Sequence, residues 1–204
     1  MSYRLKFDIQ GYWHPGTGRG QGSHLDATTY RNAQGLPSLP GRTVKGLVRD
    51  AVNRWESFGG YPLGDSGKPG ITDQLFGPYG AEGTHTWPGL LRFSDAMLPK
   101  DDVALLSLAE NQALRDGLYR SHFSTAIEHE SGTADEKSLR GIELVIPLAL
   151  YAEVDLATNA AYGELEKQWP DLLRQALPLV RAVGAHRSRG LGRAVVTLLE
   201  KEAP

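Results

Sequence analysis

Tyr3, Leu5, Phe7 and Ile9 alternate with Arg4, Lys6, Asp8 and Gln10, the period of a strand with one buried face. After Pro40 the period lengthens. Val44, Leu47, Val48, Ala51, Val52 and Trp55 recur at helical spacing with Lys45, Arg49, Asn53 and Arg54 between them, which predicts an amphipathic helix from Thr43 to Phe58. Arg42 or Thr43 stands near its cap. A loop-rich stretch from Gly59 to Gly89 leads into GLLRFSDAML, which reads as a second strand. Asp101 to Leu118 reads as helical in its second half. Ile142 to Val154 reads as a strand in spite of Pro147, which puts it at an edge or a bulge. Leu165, Trp169, Leu172, Leu173, Ala176, Leu177, Val180 and Val183 mark a second long amphipathic helix, started or kinked at Pro170 and Pro178, and Ala194 to Leu199 closes the chain as a strand.

Strand, helix, strand, then strand, helix, strand is the ferredoxin-like α+β arrangement, which is also the frame of RNA-recognition domains. A chain of 204 residues fits one domain, 1–204, carrying long insertions at about 11–40, 59–89 and 119–141. Trp55 and Trp169 fall at core positions. Trp13 either stacks on a base or covers the core.

The 40% of hydrophobic residues is enough to build that core. The absence of cysteine excludes disulfides and thiolate metal sites and fits a reducing cytosol, so a cytoplasmic location is expected. The opening MSYRLKFDIQ is too charged for a signal peptide, and no apolar run approaches a membrane span. With six dispersed histidines, a structural zinc site is not expected. GTGRGQG lacks the spacing of a dinucleotide fingerprint, GRTVKG lacks that of a P-loop, and no G-x-S-x-G elbow occurs.

Charge changes the picture more than composition does. A formal net charge of −2 excludes a globally basic nucleic-acid binder, yet the charges are segregated. From Gly11 to Arg49 stand Arg19, Arg31, Arg42, Lys45 and Arg49 against a single acid, Asp26, and GAHRSRGLGR, Gly184 to Arg193, has three arginines and no acid. Acids gather from Glu128 to Glu143 and at Glu200 to Glu202. Two basic, glycine-rich loops in an otherwise acidic protein point to a local polyanion site, the alternative being two solvated loops. Between the first strand and the first helix, GLPSLPGRTVKG is a shaped turn, since Pro37 and Pro40 fix φ while Gly35 and Gly41 allow conformations other residues avoid. Such a turn either offers helix N-terminal amides to a phosphate or is a well-made helix start.

Taken in order, LPSLPGRTVKGLVRDA, the pair Phe76–Gly77, GLLRFSDA, STAIEHESGTADEKSLRGIELV and GAHRSRGLGRA resemble the RAMP superfamily of CRISPR-associated proteins over nearly the whole chain. Within it they look most like the backbone-type subunits of type III effector complexes. That resemblance implies a subunit in antiviral defence whose partners are a guide RNA, a complementary target RNA, other effector subunits and copies of itself in a head-to-tail filament, without a membrane.

It also implies RNA contacts at Arg19, Arg42, Lys45 and Arg49 and, in the closing loop, at His186, Arg187, Arg189 and Arg193, with the loop's glycines letting backbone approach backbone. Arg120 to Gly141 resembles the thumb that separates blocks of guide and target bases. Asp26 stands where such subunits carry the aspartate needed to cut target RNA. The resemblance therefore makes Asp26 both catalytic residue and ligand of a divalent metal, magnesium, if the subunit is catalytic, with no cofactor otherwise. Asp26 can equally cap a turn or pair with Arg31. The turn departs from the common P-G-S-S-x-K-G, reading P-G-R-T-V-K-G. Two alternatives stay open: a non-catalytic structural or capping subunit, or a guide-processing endoribonuclease in which His14, His24 or His186 is general acid and base.

Overall fold

The computed structural model describes residues 3–20, 25–60, 69–78, 87–135, 138–157 and 163–201. Its elements in chain order are β1 (Tyr3–Ile9), α1 (Gly41–Ser57), α2 (Ile71–Phe76), β2 (Leu91–Phe93), α3 (Lys100–Leu106), α4 (Gln112–Asp116), β3 (Tyr119–Ser124), β4 (Arg140–Val145), β5 (Leu148–Leu156), α5 (Leu165–Ala176) and β6 (Ala194–Glu200). Short 3₁₀ turns stand at Ala109–Asn111, Leu177–Leu179 and Arg187–Arg189.

Four strands form one antiparallel sheet in the order β2-β5-β1-β6, and β3 pairs with β4 in a separate hairpin. With α1 following β1 and α5 following β5, this is the ferredoxin-like arrangement: the first strand sits in the middle, between the two strands that come late in the chain. Its register runs from Tyr3 opposite Val154 and Glu200 to Ile9 opposite Leu148 and Ala194. Alternation along β1 buries Tyr3, Leu5, Phe7 and Ile9. They share one core with Val44, Val48, Ala51 and Val52 of α1 and with Trp169, Leu172, Leu173 and Ala176 of α5. Removing each of the Val, Leu, Ile and Phe side chains among them from water contributes about 1.5–3 kcal/mol, and this apolar face, more than helix propensity, holds α1 in place. Trp13 is fully buried and donates from Nε1 to the Ile146 carbonyl at 3.2 Å, so it covers the core.

Several boundaries differ from the sequence expectation. Ile142 to Val154 is not one strand. The missing N–H of Pro147 ends the pairing, and the chain leaves β4 of the hairpin at Val145 to re-enter the main sheet as β5 at Leu148. The second long helix stops at Ala176; Leu177–Leu179 tightens to a 3₁₀ turn around Pro178, and Val180 is already extended. Pro170 lies inside α5. The stretch after Pro99 begins helical at Lys100 rather than only in its second half, and β2 shrinks to Leu91–Phe93. The loop-rich stretch after Gly59 contains α2, whose first turn is held by Glu56. Its carboxylate accepts from the amides of Ile71 and Thr72 and from the Thr72 hydroxyl at 2.8, 3.2 and 2.6 Å.

Candidate nucleic-acid interface

The shaped turn before α1 is held from both sides. Asn32 Oδ1 accepts from the amides of Gln34 and Leu36, Gly35 takes a positive φ of 76°, and Leu39 exchanges both backbone hydrogen bonds with Ala96. Pro40 caps α1 without a side-chain bond. The amide of Gly41 donates to Asp95 Oδ1 at 2.7 Å, while those of Thr43 and Val44 donate to the Pro40 carbonyl. A Cβ at Gly41 would meet the Phe93 carbonyl oxygen at 2.7 Å. The anion at this helix start is thus Asp95 of the chain itself, and the turn serves first to seat α1 against the end of β2.

The basic side chains gather beside that turn. Residues 15–20 and 25–30 run beside each other as the two arms of a ribbon, in which Thr17 and Thr28 pair and the Thr28 amide donates to the Arg19 carbonyl at 3.0 Å. The closing loop lies against the ribbon's first arm, the Ala185 amide donating to the His14 carbonyl and the Gly192 amide to that of Tyr12, each at 2.8 Å. Between ribbon, turn and loop opens a groove of about 560 Å³, lined among others by Arg19, Tyr30, Arg42, Thr43 and Arg187. Among the described residues, no carboxylate belongs to its lining. Among the described residues none of the three arginines is in an ion pair. Three positive charges on rigid, hydrogen-bonded backbone around an open groove favour a polyanion.

The other expected contacts lie elsewhere. Arg49 donates to Asp73 at 3.0 Å and ties α1 to α2. Lys45 is half-buried; burial, and then the charge of Arg49, lowers its pKa below the usual lysine value. Neither lines the groove. Arg193 lines a separate groove beside β6, and Arg189 is exposed in the 3₁₀ turn. His186 adopts φ 57° with its ring centroid 6.3 Å from that of His14. His14 is only 3% exposed and its Nδ1 donates to the Glu143 carbonyl at 2.7 Å, a structural fixture of the ribbon. His24 falls outside the described residues.

Two glycines of the closing loop let backbone approach backbone within the protein itself. A Cβ at Gly184, φ +80°, would meet the His14 carbonyl oxygen at 2.6 Å, and one at Gly192, φ +74°, would collide with that of Val183. Protein backbone is what they let close; only Gly190, with open space around it, faces outward.

Asp26 stands on the ribbon's return arm, against the hairpin. Its amide donates to the Gly141 carbonyl and its Oδ2 accepts from the Gly141 amide, both at 2.8 Å. The residue is exposed, and Oδ1 has no partner among the described residues. Arg31 does not pair with it. Instead Arg31 meets Glu143 Oε1 at 2.6 Å and lies over the Tyr119 ring at 3.6 Å. Glu143 Oε2 accepts from the Thr29 amide at 3.0 Å and from its hydroxyl at 2.5 Å. Burial acts to raise Glu143, but the Thr29 hydrogen bonds and the Arg31 charge outweigh it and hold the carboxyl below the usual range. Burial, reinforced by Glu143 and opposed by Arg31, pushes the Tyr119 hydroxyl up to about 12, and it donates to the Gly35 carbonyl at 2.8 Å.

This cluster clamps the Asp26 arm to the hairpin. No group of three or more histidine, aspartate or glutamate side chains able to hold a metal occurs among the described residues. A divalent cation would find one free carboxylate oxygen here, which suffices for magnesium only when substrate phosphates and water complete its shell.

Sequence reasoning missed Arg181, which lines two grooves with Arg187 and Arg193, because it was read as one turn of a long helix. Pro178 was the signal that the helix had already ended.

No helix among the described residues is long and apolar enough to cross a membrane. Among curated proteins none matches the chain in sequence. Of the solved structures, a chain of the type III-B Cmr-beta complex bound to cognate target RNA superposes with a TM-score of 0.70 at 10% identity, covering 97% of each chain. A chain of the same complex in its apo state gives 0.66 at 11% identity and 98% of each. A chain of a type IV-B CRISPR complex gives 0.60 at 16% identity over 100% of this chain and 94% of that one. The model of the RAMP superfamily matches residues 6–195, so a ferredoxin-like fold, a ribbon and closing loop around an arginine groove, and this match lead to one statement: the chain belongs to the RAMP superfamily.

Proposed function

We propose that this protein is a guide-RNA-binding backbone subunit of a type III-like CRISPR effector complex, and that Asp26 takes part in cutting the paired target RNA. The observation that carries the binding half is the convergence of Arg19, Arg42 and Arg187, from three separate stretches of chain, on one groove with no acid among its described lining residues. A guide varies in sequence, so its holder must grip phosphates and sugars rather than base edges, and exposed guanidiniums on rigid backbone do that. The similar chains come from a type III-B complex, in one case with target RNA bound, and from a type IV-B complex, which supports RNA and other effector subunits as partners.

The cleavage half rests on the Asp26 carboxylate. With Oδ2 anchored on the Gly141 amide beside the loop end of the β3–β4 ladder, the free Oδ1 serves in one of two ways: it holds a divalent cation, or it orients a target 2′-hydroxyl for in-line attack on the adjacent phosphorus, which displaces the 5′-oxygen and leaves a 2′,3′-cyclic phosphate. The clamp of Glu143, Thr29 and Arg31 holds the arm that carries Asp26 against the hairpin. In the first case, magnesium held by Oδ1 and by phosphate oxygens of the RNA would supply charge neutralisation at the reacting phosphate, with the 2′-hydroxyl proton passing to solvent.

The test is cleavage of labelled complementary RNA by the reconstituted guide complex with magnesium, wild type against Asp26→Asn. The expected result is loss of regularly spaced cuts with guide binding unchanged. Unchanged cutting would leave this chain a scaffold and send the chemistry to another subunit.

A further inference from the structure

The arginine groove does not end at the closing loop. A second groove, of about 400 Å³, shares Leu47 and Arg187 with the first and adds Arg54 and Arg181. A third, of about 490 Å³, shares Val180 and Arg181 with the second and reaches Arg193 and Val195. The three grooves therefore form one track, passing from the ribbon over the start of α1 and the closing loop to the outer edge of the sheet at β6. The acid within it, Asp50, is occupied by Arg54 at 3.1 Å, and the third groove has no acid among its described lining residues.

Arg181 and Arg193 are both exposed and, among the described residues, in no ion pair. Their backbones are fixed on each other. The Ala194 amide donates to the Arg181 carbonyl at 3.0 Å, Ala182 bridges Arg193, and the Gln10 amide donates to the Arg193 carbonyl at 2.8 Å. Both arginines line the third groove, which therefore carries two positive charges that an anion seated there would neutralise. Beside them Pro178, Val180 and the half-exposed Val195 offer an apolar wall to sugars and bases.

We infer that a single-stranded RNA seated in the first groove continues over Arg187 into the groove of Arg181 and Arg193, a second phosphate-binding segment that lengthens the strand one subunit holds. This rests on the RNA-binding reading above. The lining shared from groove to groove, and a third groove in which none of the described lining residues is an acid, favour the RNA backbone over a protein partner at this edge.

The experiment is fluorescence anisotropy of the full chain with labelled oligouridylates of about four and about twelve nucleotides, the range that single-strand grooves span. The wild type is expected to bind the longer RNA about tenfold more tightly. Arg181→Glu with Arg193→Glu should abolish that gain and leave affinity for the shorter RNA unchanged. Arg181→Lys with Arg193→Lys should retain it. For the longer RNA, the slope of log affinity on log salt should lessen by about 1.4 in the glutamate variant, two phosphate contacts at about 0.7 each.

A gain that survives the glutamate changes overturns the inference while the first groove stands. Short-RNA affinity unmoved by alanine at Arg19, Arg42 and Arg187 overturns the first-groove reading instead. Loss of a protein subunit from the reconstituted complex, with both RNA affinities intact, would assign this edge to a protein contact and overturn the inference as well.

Discussion

Glu143 is the residue on which the candidate catalytic arm depends. Its side chain is 12% exposed, and it joins Thr29 and Arg31 of the ribbon to β4. Glu143→Ala leaves the Thr29 donors and the Arg31 charge without their acceptor, and is expected to cost about 2 kcal/mol. In a chain of this size that is a fall in Tm of about 4–8 °C, measured by thermal unfolding. The sign of its pH dependence follows from the direction of the shift. The folded pKa lies below the ordinary 4.5, so the contribution is present above 4.5 and is lost as pH falls through the folded value. The Tm gap between wild type and Glu143→Gln should therefore be full near neutral pH and close on acidification below 4.5.

The closing loop is a backbone device as much as a charged one. Its sequence advertised three arginines and three glycines, and the natural reading gave both to RNA. The structure divides them. Gly184 and Gly192 let the loop pack on His14 and Val183, which in turn aims Arg187 into the groove. Gly192→Ala combines a left-handed φ with a backbone collision and should lower stability by more than about 2 kcal/mol, whereas Gly190→Ala, with open space, should cost about 1 kcal/mol. Comparing the two Tm values separates loop packing from exposure. If Gly190→Ala proved the more damaging, the loop's fit against the ribbon would not be what the glycines serve. Proline carries a related ambiguity in the stretch Ile142 to Val154: it marks that a strand stops, but whether Pro147 is a bulge or a passage between sheets depends on which strand is waiting beyond it.

A net charge of −2 is compatible with the proposed polyanion site because the arginines are gathered and the acids beside them are engaged or distant. Asp73, Asp95, Asp50 and Glu143 each take up a donor of the chain itself, Arg49, the Gly41 amide, Arg54 and Arg31 in turn. Binding of a short RNA should accordingly be steeply salt-dependent for so acidic a protein. Three phosphate contacts predict a slope near −2 on a log–log plot, which alanine at Arg19, Arg42 and Arg187 together should flatten. A slope that stayed near −2 in that variant would move the site away from the first groove.

The order of strands and helices was readable from periodicity because burial of one face is a local demand, repeated every second residue in β1 and every third or fourth in α1. From that order the ferredoxin-like frame followed, and the resemblance to the superfamily followed from ordered motifs. Which arginines meet was not readable. Arg19, Arg42 and Arg187 are brought to one groove by the docking of a ribbon, a turn and a loop beside the four-stranded sheet, while Lys45 and Arg49, equally promising in the sequence, are turned to other work by α2 and by burial. Charge and spacing name candidates; only the packing of distant segments decides which of them share a site, because an ion pair such as Arg49 with Asp73 forms between residues that no local pattern connects.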